Sequence, residues 1–180
     1  LELSSTDLLK NYLFSRVKVP ADLTALQRRW RKLLTIVKPE RFPDFLRYHL
    51  LCEIPKVRKQ GLFKQTRDAI RNAQDVFNLM LALEARAELF ASLDDTEHEF
   101  WVDLPDAKPY IRQLKLFKVR QMTPLLFAAW ENLVRVDFVR VLKLICVVSF
   151  RHTVISSLNT NELEPVYHKA AKAILTGKAK

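Results

Sequence analysis

Residues 137–156 read DFVRVLKLICVVSFRHTVIS, and this stretch indicates the fold class more clearly than any other part of the chain. It is apolar on nearly all sides of a helix, and its most apolar run is 144–150. That run is far shorter than the roughly 18 apolar residues of a membrane span, so we expect no membrane segment and a buried helix at the centre of the fold. The side chains expected to be buried are Leu142, Ile145, Val148 and Trp130.

The composition around this stretch favours helices throughout. Only two glycines occur among the 180 residues, which disfavours glycine-rich phosphate loops and turn-rich β folds. Leu, Ala, Lys, Arg and Glu dominate, and the alternation typical of strands is missing. We predict an all-α fold, an irregular array of about eight or nine helices in a single domain over residues 1–180. The acidic segment 94–106 could divide the helices into two halves.

Capping residues predict where individual helices begin and end. Ser4-x-x-Asp7 is similar to a capping box at the start of the first helix. Thr123-Pro124 predicts an N-cap followed by proline at the first helical position. Asn161-x-x-Glu164 predicts the cap of the last helix, and Gly177 its end. Because the first helix follows almost directly on a Leu1 that no initiator Met precedes, we expect the chain to be a piece of a longer protein.

The cysteines and histidines show no catalytic or metal-binding pattern. Cys52 and Cys146 lack paired spacing, which is typical of buried thiols in a reducing compartment, so we expect a cytoplasmic protein. His98 lies between Glu97 and Glu99, but alternate residues in a loop make poor metal geometry, and a surface histidine is the more ordinary interpretation. No nucleophile and base stand at a recognisable spacing. We therefore predict no catalytic residue, no metal site and no cofactor bound by this chain.

A row of cations follows the acidic segment. The net charge of +10 permits an anionic partner such as nucleic acid. Lys108, Arg112, Lys115 and Lys118 recur at steps of four, three and three residues, which places them on one face of a predicted helix. Two interpretations stay open: the row binds a nucleic acid backbone or an acidic partner, or it is neutralised by segment 94–106 just before it.

A second basic cluster surrounds a tryptophan at Arg28-Arg29-Trp30-Arg31-Lys32. Cations this close together can bind phosphates. On a helix, however, Trp30 shares the apolar face while Arg28 and Arg31 point away from it. The cluster is therefore more typical of a solvated face with one core tryptophan.

The order of motifs along the chain resembles the domain of unknown function 262 family, the GmrSD-like group of modification-dependent restriction proteins. Leu3-Ser4-Ser5-Thr6-Asp7-Leu8-Leu9-Lys10-Asn11-Tyr12-Leu13-Phe14 resembles the segment that follows the catalytic core of that family. The later marks agree in order over nearly the whole chain: Phe45-Leu46-Arg47, Val57-Arg58, Leu62-Phe63-Lys64, Ala87-Glu88-Leu89-Phe90-Ala91-Ser92-Leu93, Trp101, Leu114, Pro124-Leu125-Leu126, Arg151-His152-Thr153-Val154-Ile155, Glu164 and Tyr167.

The resemblance implies a function for the parent protein that this chain does not carry out itself. A full-length relative begins with a ParB/sulfiredoxin-like nucleotide-binding core bearing an Asp-Gly-Gln-Gln-Arg motif, and it can end with an HNH-type nuclease domain. Neither motif occurs here. The chain would be the non-catalytic helical connector and regulatory domain of a bacterial nucleotide-dependent DNA restriction or phage-defence protein, with an NTP and a divalent metal bound elsewhere in the parent. Its partners would be the upstream core, the downstream nuclease domain and the DNA backbone; the alternative is an interaction scaffold that docks an acidic partner through its basic helix faces.

The same resemblance implies a place for the first helix. Asp7, Lys10 and Asn11 share a polar face opposite Leu9 and Leu13. This face follows directly on the presumed catalytic sheet of a relative, so we expect it near the nucleotide site. An ordinary solvated helix face is the alternative, and the oligomeric state is left open.

Overall fold

A computed structural model of the chain describes residues 5–178 and confirms the all-α prediction. Nine α-helices and no β-strand occur in this range. The helices are α1 Ser5–Ser15, α2 Pro20–Val37, α3 Phe42–Leu50, α4 Leu62–Ala69, α5 Ala73–Ser92, α6 Lys108–Leu116, α7 Thr123–Asn132, α8 Arg135–Ser149 and α9 Glu164–Leu175. A π-helical turn, Phe150–Ile155, continues α8, and short 3-10 turns lie at Lys59–Gly61, Glu99–Trp101, Pro105–Ala107 and Thr160–Leu163. The capping box predicted at Ser4 lies outside the described residues.

The helices form two compact units. The first unit runs up to Arg47 and from Lys56 to Glu88, and the second comprises Tyr48–Pro55 and the chain from Leu89 onward. Two of the three boundaries fall inside α3 and α5, and the third falls between Pro55 and Lys56, outside the helices. The acidic segment 94–106 lies wholly within the second unit.

Aromatic packing and one long-range hydrogen bond hold the first unit together. Trp30 of α2 is buried against Phe42 of α3, with ring centroids 5.1 Å apart. Tyr12 joins α1 to the end of α4, because its hydroxyl donates a 2.7 Å hydrogen bond to the carbonyl of Ile70 and its ring meets Phe63 edge-on. Such aromatic pairs contribute roughly 0.5–1.5 kcal/mol beyond the area they bury.

The second unit is built around α7. Its residues 123–129 are all buried, and α8 and α9 pack against it. The segment after α3 is held in this unit by buried polar contacts: Nδ1 of His168 lies 2.6 Å from the carbonyl oxygen of Leu51, and Sγ of Cys52 lies 3.7 Å from that of Pro124. Trp101 is also buried and donates its indole N–H to the carbonyl of Ser92 at 3.0 Å.

The prediction that 137–156 forms the central helix is wrong. Leu142 and Ile145 are buried as expected, but Val148 and Trp130 are only half-buried. The opposite side of α8 lies in solvent, and the regular helix ends at Ser149 rather than 156. The half-buried Trp130 ring is covered by the guanidinium of Arg135, 3.2 Å from the ring centroid, which supplies a cation–π partner where the sequence pattern predicts core.

Two predicted caps are also placed differently. Thr123 is the first residue of α7 rather than its N-cap, and its hydroxyl donates backward to the carbonyl of Arg120 at 2.8 Å. The cap near the last helix is Asn159, whose side chain accepts from the N–H of Asn161 and opens the 3-10 turn before α9. Gly177 ends α9 as predicted, with a φ of +65°. No described helix combines the length and the apolar character needed to cross a membrane.

Candidate functional site

A groove of about 890 Å³ opens in the first unit between α1, α2 and the start of α3. It is lined by Thr6, Asp7, Lys10, Trp30, Arg31, Leu34, Thr35, Pro39, Glu40 and Pro43. We call it the α1–α2 groove. It combines an apolar lining with two carboxylates and two cations, so it suits a polar ligand or chain segment that carries both charges.

The first helix supplies two of the three residues predicted to lie near a nucleotide. Asp7 and Lys10 line the groove and are exposed. Asn11 is exposed as well, but it is not among the lining residues. The ammonium of Lys10 lies 5.8 Å from the centroid of the Phe14 ring, one turn along the same helix, which keeps the charge at the helix surface.

The second helix contributes the opposite wall and divides the basic cluster. Trp30 is buried on the apolar face and Arg31 lines the groove. Arg29 instead reaches α5, where its guanidinium lies 3.6 Å from a carboxylate oxygen of Glu84 and over the Phe77 ring. The five residues therefore do not act as one phosphate-binding patch, because one is core and another is in an ion pair.

The α2 wall of the groove ends at a backbone position that an L-residue rarely adopts. Lys38, the C-cap of α2, has φ +66° and ψ 140° and precedes Pro39. Its N–H still closes the helix by donating to the carbonyl of Leu34 at 3.0 Å. A residue in this region costs on the order of 1–3 kcal/mol, so the turn that brings Pro39 and Glu40 to the groove is held under strain.

The cation row of the second unit is only partly a helix face. Lys108, Arg112 and Lys115 lie on α6, which ends at Leu116. Lys118 lies beyond it in the left-handed region, at φ +55°. The N–H of Lys118 bonds to the carbonyl of Lys115, and that of Val119 bonds to Leu114, which makes a left-handed helix cap with lysine where glycine is usual.

The acidic segment pairs with one member of this row. Nζ of Lys108 lies 3.4 Å from a carboxylate oxygen of Glu97. Arg112, Lys115 and Lys118 are exposed, and none of them forms an ion pair within residues 5–178. Asp94 pairs instead with Arg120, a cation that the sequence pattern does not single out because it lies in an irregular turn. The Lys108–Glu97 pair supports neutralisation of the row by the acidic segment. The exposure of the other three cations supports the binding of an anionic partner.

Two buried groups of the second unit, Cys146 and Tyr167, are held in their protonated forms. Burial raises the pKa of the Cys146 thiol from 9.0 to about 11. Burial also raises the pKa of Tyr167, against the opposing effect of its 3.1 Å hydrogen bond with Ser149. Both groups stay protonated at neutral pH, so Cys146 is a poor nucleophile. His98 accepts the N–H of Phe100 at 3.1 Å and caps a short turn, and no group of three metal-ligating residues comes together in the described chain.

Comparison of the chain with protein-family models, with curated proteins and with solved structures finds no match. The likeness to a restriction family therefore depends on the sequence motifs alone.

Proposed function

We propose that this chain is the helical connector and regulatory domain of a bacterial nucleotide-dependent DNA restriction or phage-defence protein. The order of motifs along nearly the whole chain supports the family. Catalysis, the NTP and the divalent metal belong to other domains of the parent, the ParB-like core and the nuclease. The helical chain transmits the state of the core by contacting it.

The observation that carries this proposal is the position of the first motif of the resemblance. Its residues form most of α1. Asp7 and Lys10 of that helix line the α1–α2 groove, and Arg31 and Glu40 line it as well. A groove wall with both signs of charge is complementary to a neighbouring polar surface and fixes its register. The ParB-like core is the neighbour that the resemblance supplies for this wall.

The test is substitution of α1 in the full-length parent protein. Lys10→Ala and Asn11→Ala should each lower nucleotide affinity or turnover. Both positions are exposed, so thermal stability should change by less than about 1 kcal/mol. Lys32→Ala is the matched control, because Lys32 is an exposed cation on α2 outside the groove lining. Nucleotide binding and hydrolysis that match the unsubstituted protein in both α1 variants would reject the proposal.

The exposed cations after the acidic segment favour a DNA contact in the same parent. Arg112 and Lys115 are exposed, form no ion pair within residues 5–178 and share the α6 helix, whereas Lys118 lies beyond its end, so these two are the members of the row best placed to meet phosphates together. Such contacts position a duplex without reading its sequence. We expect the chain alone to bind duplex DNA with a Kd of about 10⁻⁴–10⁻⁶ M at physiological salt.

Charge reversal separates this DNA contact from the effect of general basic charge. Arg112→Glu with Lys115→Glu should weaken DNA binding and reduce the slope of log K against log salt by about one unit for each phosphate interaction removed. Lys169→Glu with Lys172→Glu changes the net charge equally at exposed positions of α9 and should leave most of the affinity intact. Equal decreases in affinity in the two double variants would mean that the α6 row is not a DNA site.

A further inference from the structure

The outer side of α8 and its π-helical turn carries an apolar stripe in solvent. Leu144 is 62% exposed and Ile155 is 66% exposed, values far from those of core residues. We define the α8 stripe by its exposed apolar members, Leu144, Val147, Phe150, Val154 and Ile155. Leu144, Val147 and Phe150 recur every three residues and Val154 follows four residues later, with Ile155 next to it, which places the stripe along one side of the helix and its π-helical turn. Exposed apolar surface of this kind marks an interaction site.

The stripe borders a cavity of about 660 Å³ between α6 and α8. Phe117, just after α6, faces Phe150 with ring centroids 5.9 Å apart. Val147 and Ile155 also line the cavity, whose inner part includes the buried Cys146. The surface is therefore a groove with an apolar floor rather than a flat patch.

The charges at this groove are all of one sign. Lys143 and Arg151 line it, and neither forms an ion pair within residues 5–178. No carboxylate is among the lining residues. Asp137, the only acid on α8, is paired with Arg140 at 2.8 Å, and Asp106 lines the adjoining cavity without an ion pair to Lys143.

The regular helix gives way to a wider turn at the end of this groove. Phe150–Ile155 is π-helical, and the N–H of Ser156 bonds to the carbonyl of Arg151 at 3.0 Å. The next residue, Ser157, has φ +52°. Single π-turns are rare in proteins, and those that exist are often found at functional sites. This one holds Phe150, Arg151 and Ile155 at the groove.

We infer that the α8 stripe docks an amphipathic helix whose apolar face is flanked by acidic residues. Residues 143–155 cover about 18 Å at about 1.5 Å per residue, which matches a partner helix of about three turns. The apolar side chains would fill the cavity, and the flanking acids would meet Lys143 and Arg151. A DNA backbone would leave the apolar members of the stripe without partners, and a membrane surface would leave the cavity unfilled. This docking surface goes beyond the proposed function and does not depend on it.

The probe is a labelled synthetic helix of about 14 residues. It carries leucines on one face and glutamates on both flanks, and its control replaces each glutamate with lysine. Fluorescence anisotropy with the 180-residue chain should show binding of the acidic peptide and at least about tenfold weaker binding of the basic one. Val147→Asp, at a position 42% exposed, and Lys143→Glu with Arg151→Glu should each weaken binding of the acidic peptide about tenfold.

Matched substitutions elsewhere in the second unit separate the stripe from general effects. Val166→Asp with Lys169→Glu changes one exposed apolar residue and one exposed cation on α9 and should shift the peptide Kd by less than about twofold. Leu144→Asp serves if Val147→Asp does not fold by circular dichroism. Three results would overturn the inference: no binding of the acidic peptide up to about 1 mM, equal binding of the basic peptide, or tighter binding of phosphatidylserine vesicles or duplex DNA that the stripe substitutions abolish.

Discussion

Helices α7 and α8 are neighbours in sequence and similar in apolar content, yet they are buried to very different degrees. Every residue of α7 from Thr123 to Ala129 is buried. In α8, Phe138, Leu142 and Ile145 are buried, while Leu144 and Val147 lie in solvent. An apolar helix is therefore part of the core only where neighbouring helices enclose it on all sides. The arrangement of those neighbours, not the apolar content of the helix, sets how much of it is buried.

The enclosing elements explain the difference. Within the second unit, α7 packs against both α8 and α9, whereas α8 packs against α6 and α7 and leaves its outer side open. The small side chains Ala128 and Ala129 suit α7 to this position because they allow close approach of neighbouring helices. Lys143 on α8 and Arg151 in the π-helical turn after it belong to the exposed face, and a helix buried on all sides would lack such residues.

The largest expected effect is at the enclosed helix. Phe127→Ala in α7 removes a fully buried ring and should destabilise the chain by roughly 3–5 kcal/mol, because apolar burial decreases and a cavity remains. Urea unfolding measures this change in the free energy of unfolding. A change below about 1 kcal/mol would mean that α7 is not the core helix of the second unit.

Adjacent residues of α8 test the two-sided nature of that helix. Ile145→Ala should cost roughly 2–5 kcal/mol because its side chain is buried. Leu144→Ala deletes an equally large side chain from the exposed face and should cost less than about 0.5 kcal/mol. Similar destabilisation at both positions, measured in the same unfolding experiment, would contradict the exposed stripe.

The Cys146 thiol reports whether the inner side of α8 stays desolvated. Its folded pKa of about 11 lies above the unfolded value of 9.0, so its contribution to stability is complete below pH 9 and is lost as pH rises through about 11. At about pH 8 the thiolate fraction should be about a hundredfold lower than in the unfolded chain. Mass spectrometry after iodoacetamide treatment should therefore find Cys146 slow in the native chain and fast in urea. Equal rates would show that this face is open to water.

The smallest expected effect concerns the end of α6, which packs against α8. Lys118→Gly places the residue preferred at φ +55° in the left-handed cap, and it should stabilise the chain by roughly 0.5–1 kcal/mol after the entropy cost of glycine. Lys115→Gly removes the same charge within the helix and should destabilise by roughly 1 kcal/mol. If Lys118→Gly does not stabilise the chain, the strain at this cap is relaxed in another way.

Much of the candidate site could be predicted from residue spacing, and the rest could not. The shared polar face of Asp7 and Lys10 follows from helix periodicity, and both residues line the α1–α2 groove. Glu40 and Pro39 could not be associated with them, because they reach the groove through the turn at Lys38. Periodicity predicts one helix face over 108–118. It does not reveal that α6 ends at Leu116, which leaves Lys118 outside that face.

The sequence by itself determined the all-α class, the stop of α9 just before Gly177 and the burial of Trp30 on α2, because these depend on local propensity and on the period of one helix. Only the tertiary structure decided that α7 rather than α8 is enclosed, and that Lys108 alone in its row pairs with the acidic segment. These outcomes depend on which faces meet in the folded chain, which the periodicity of a single helix does not show. An apolar or charged face indicates that a partner is needed, and the packing of the other helices decides whether this chain provides it.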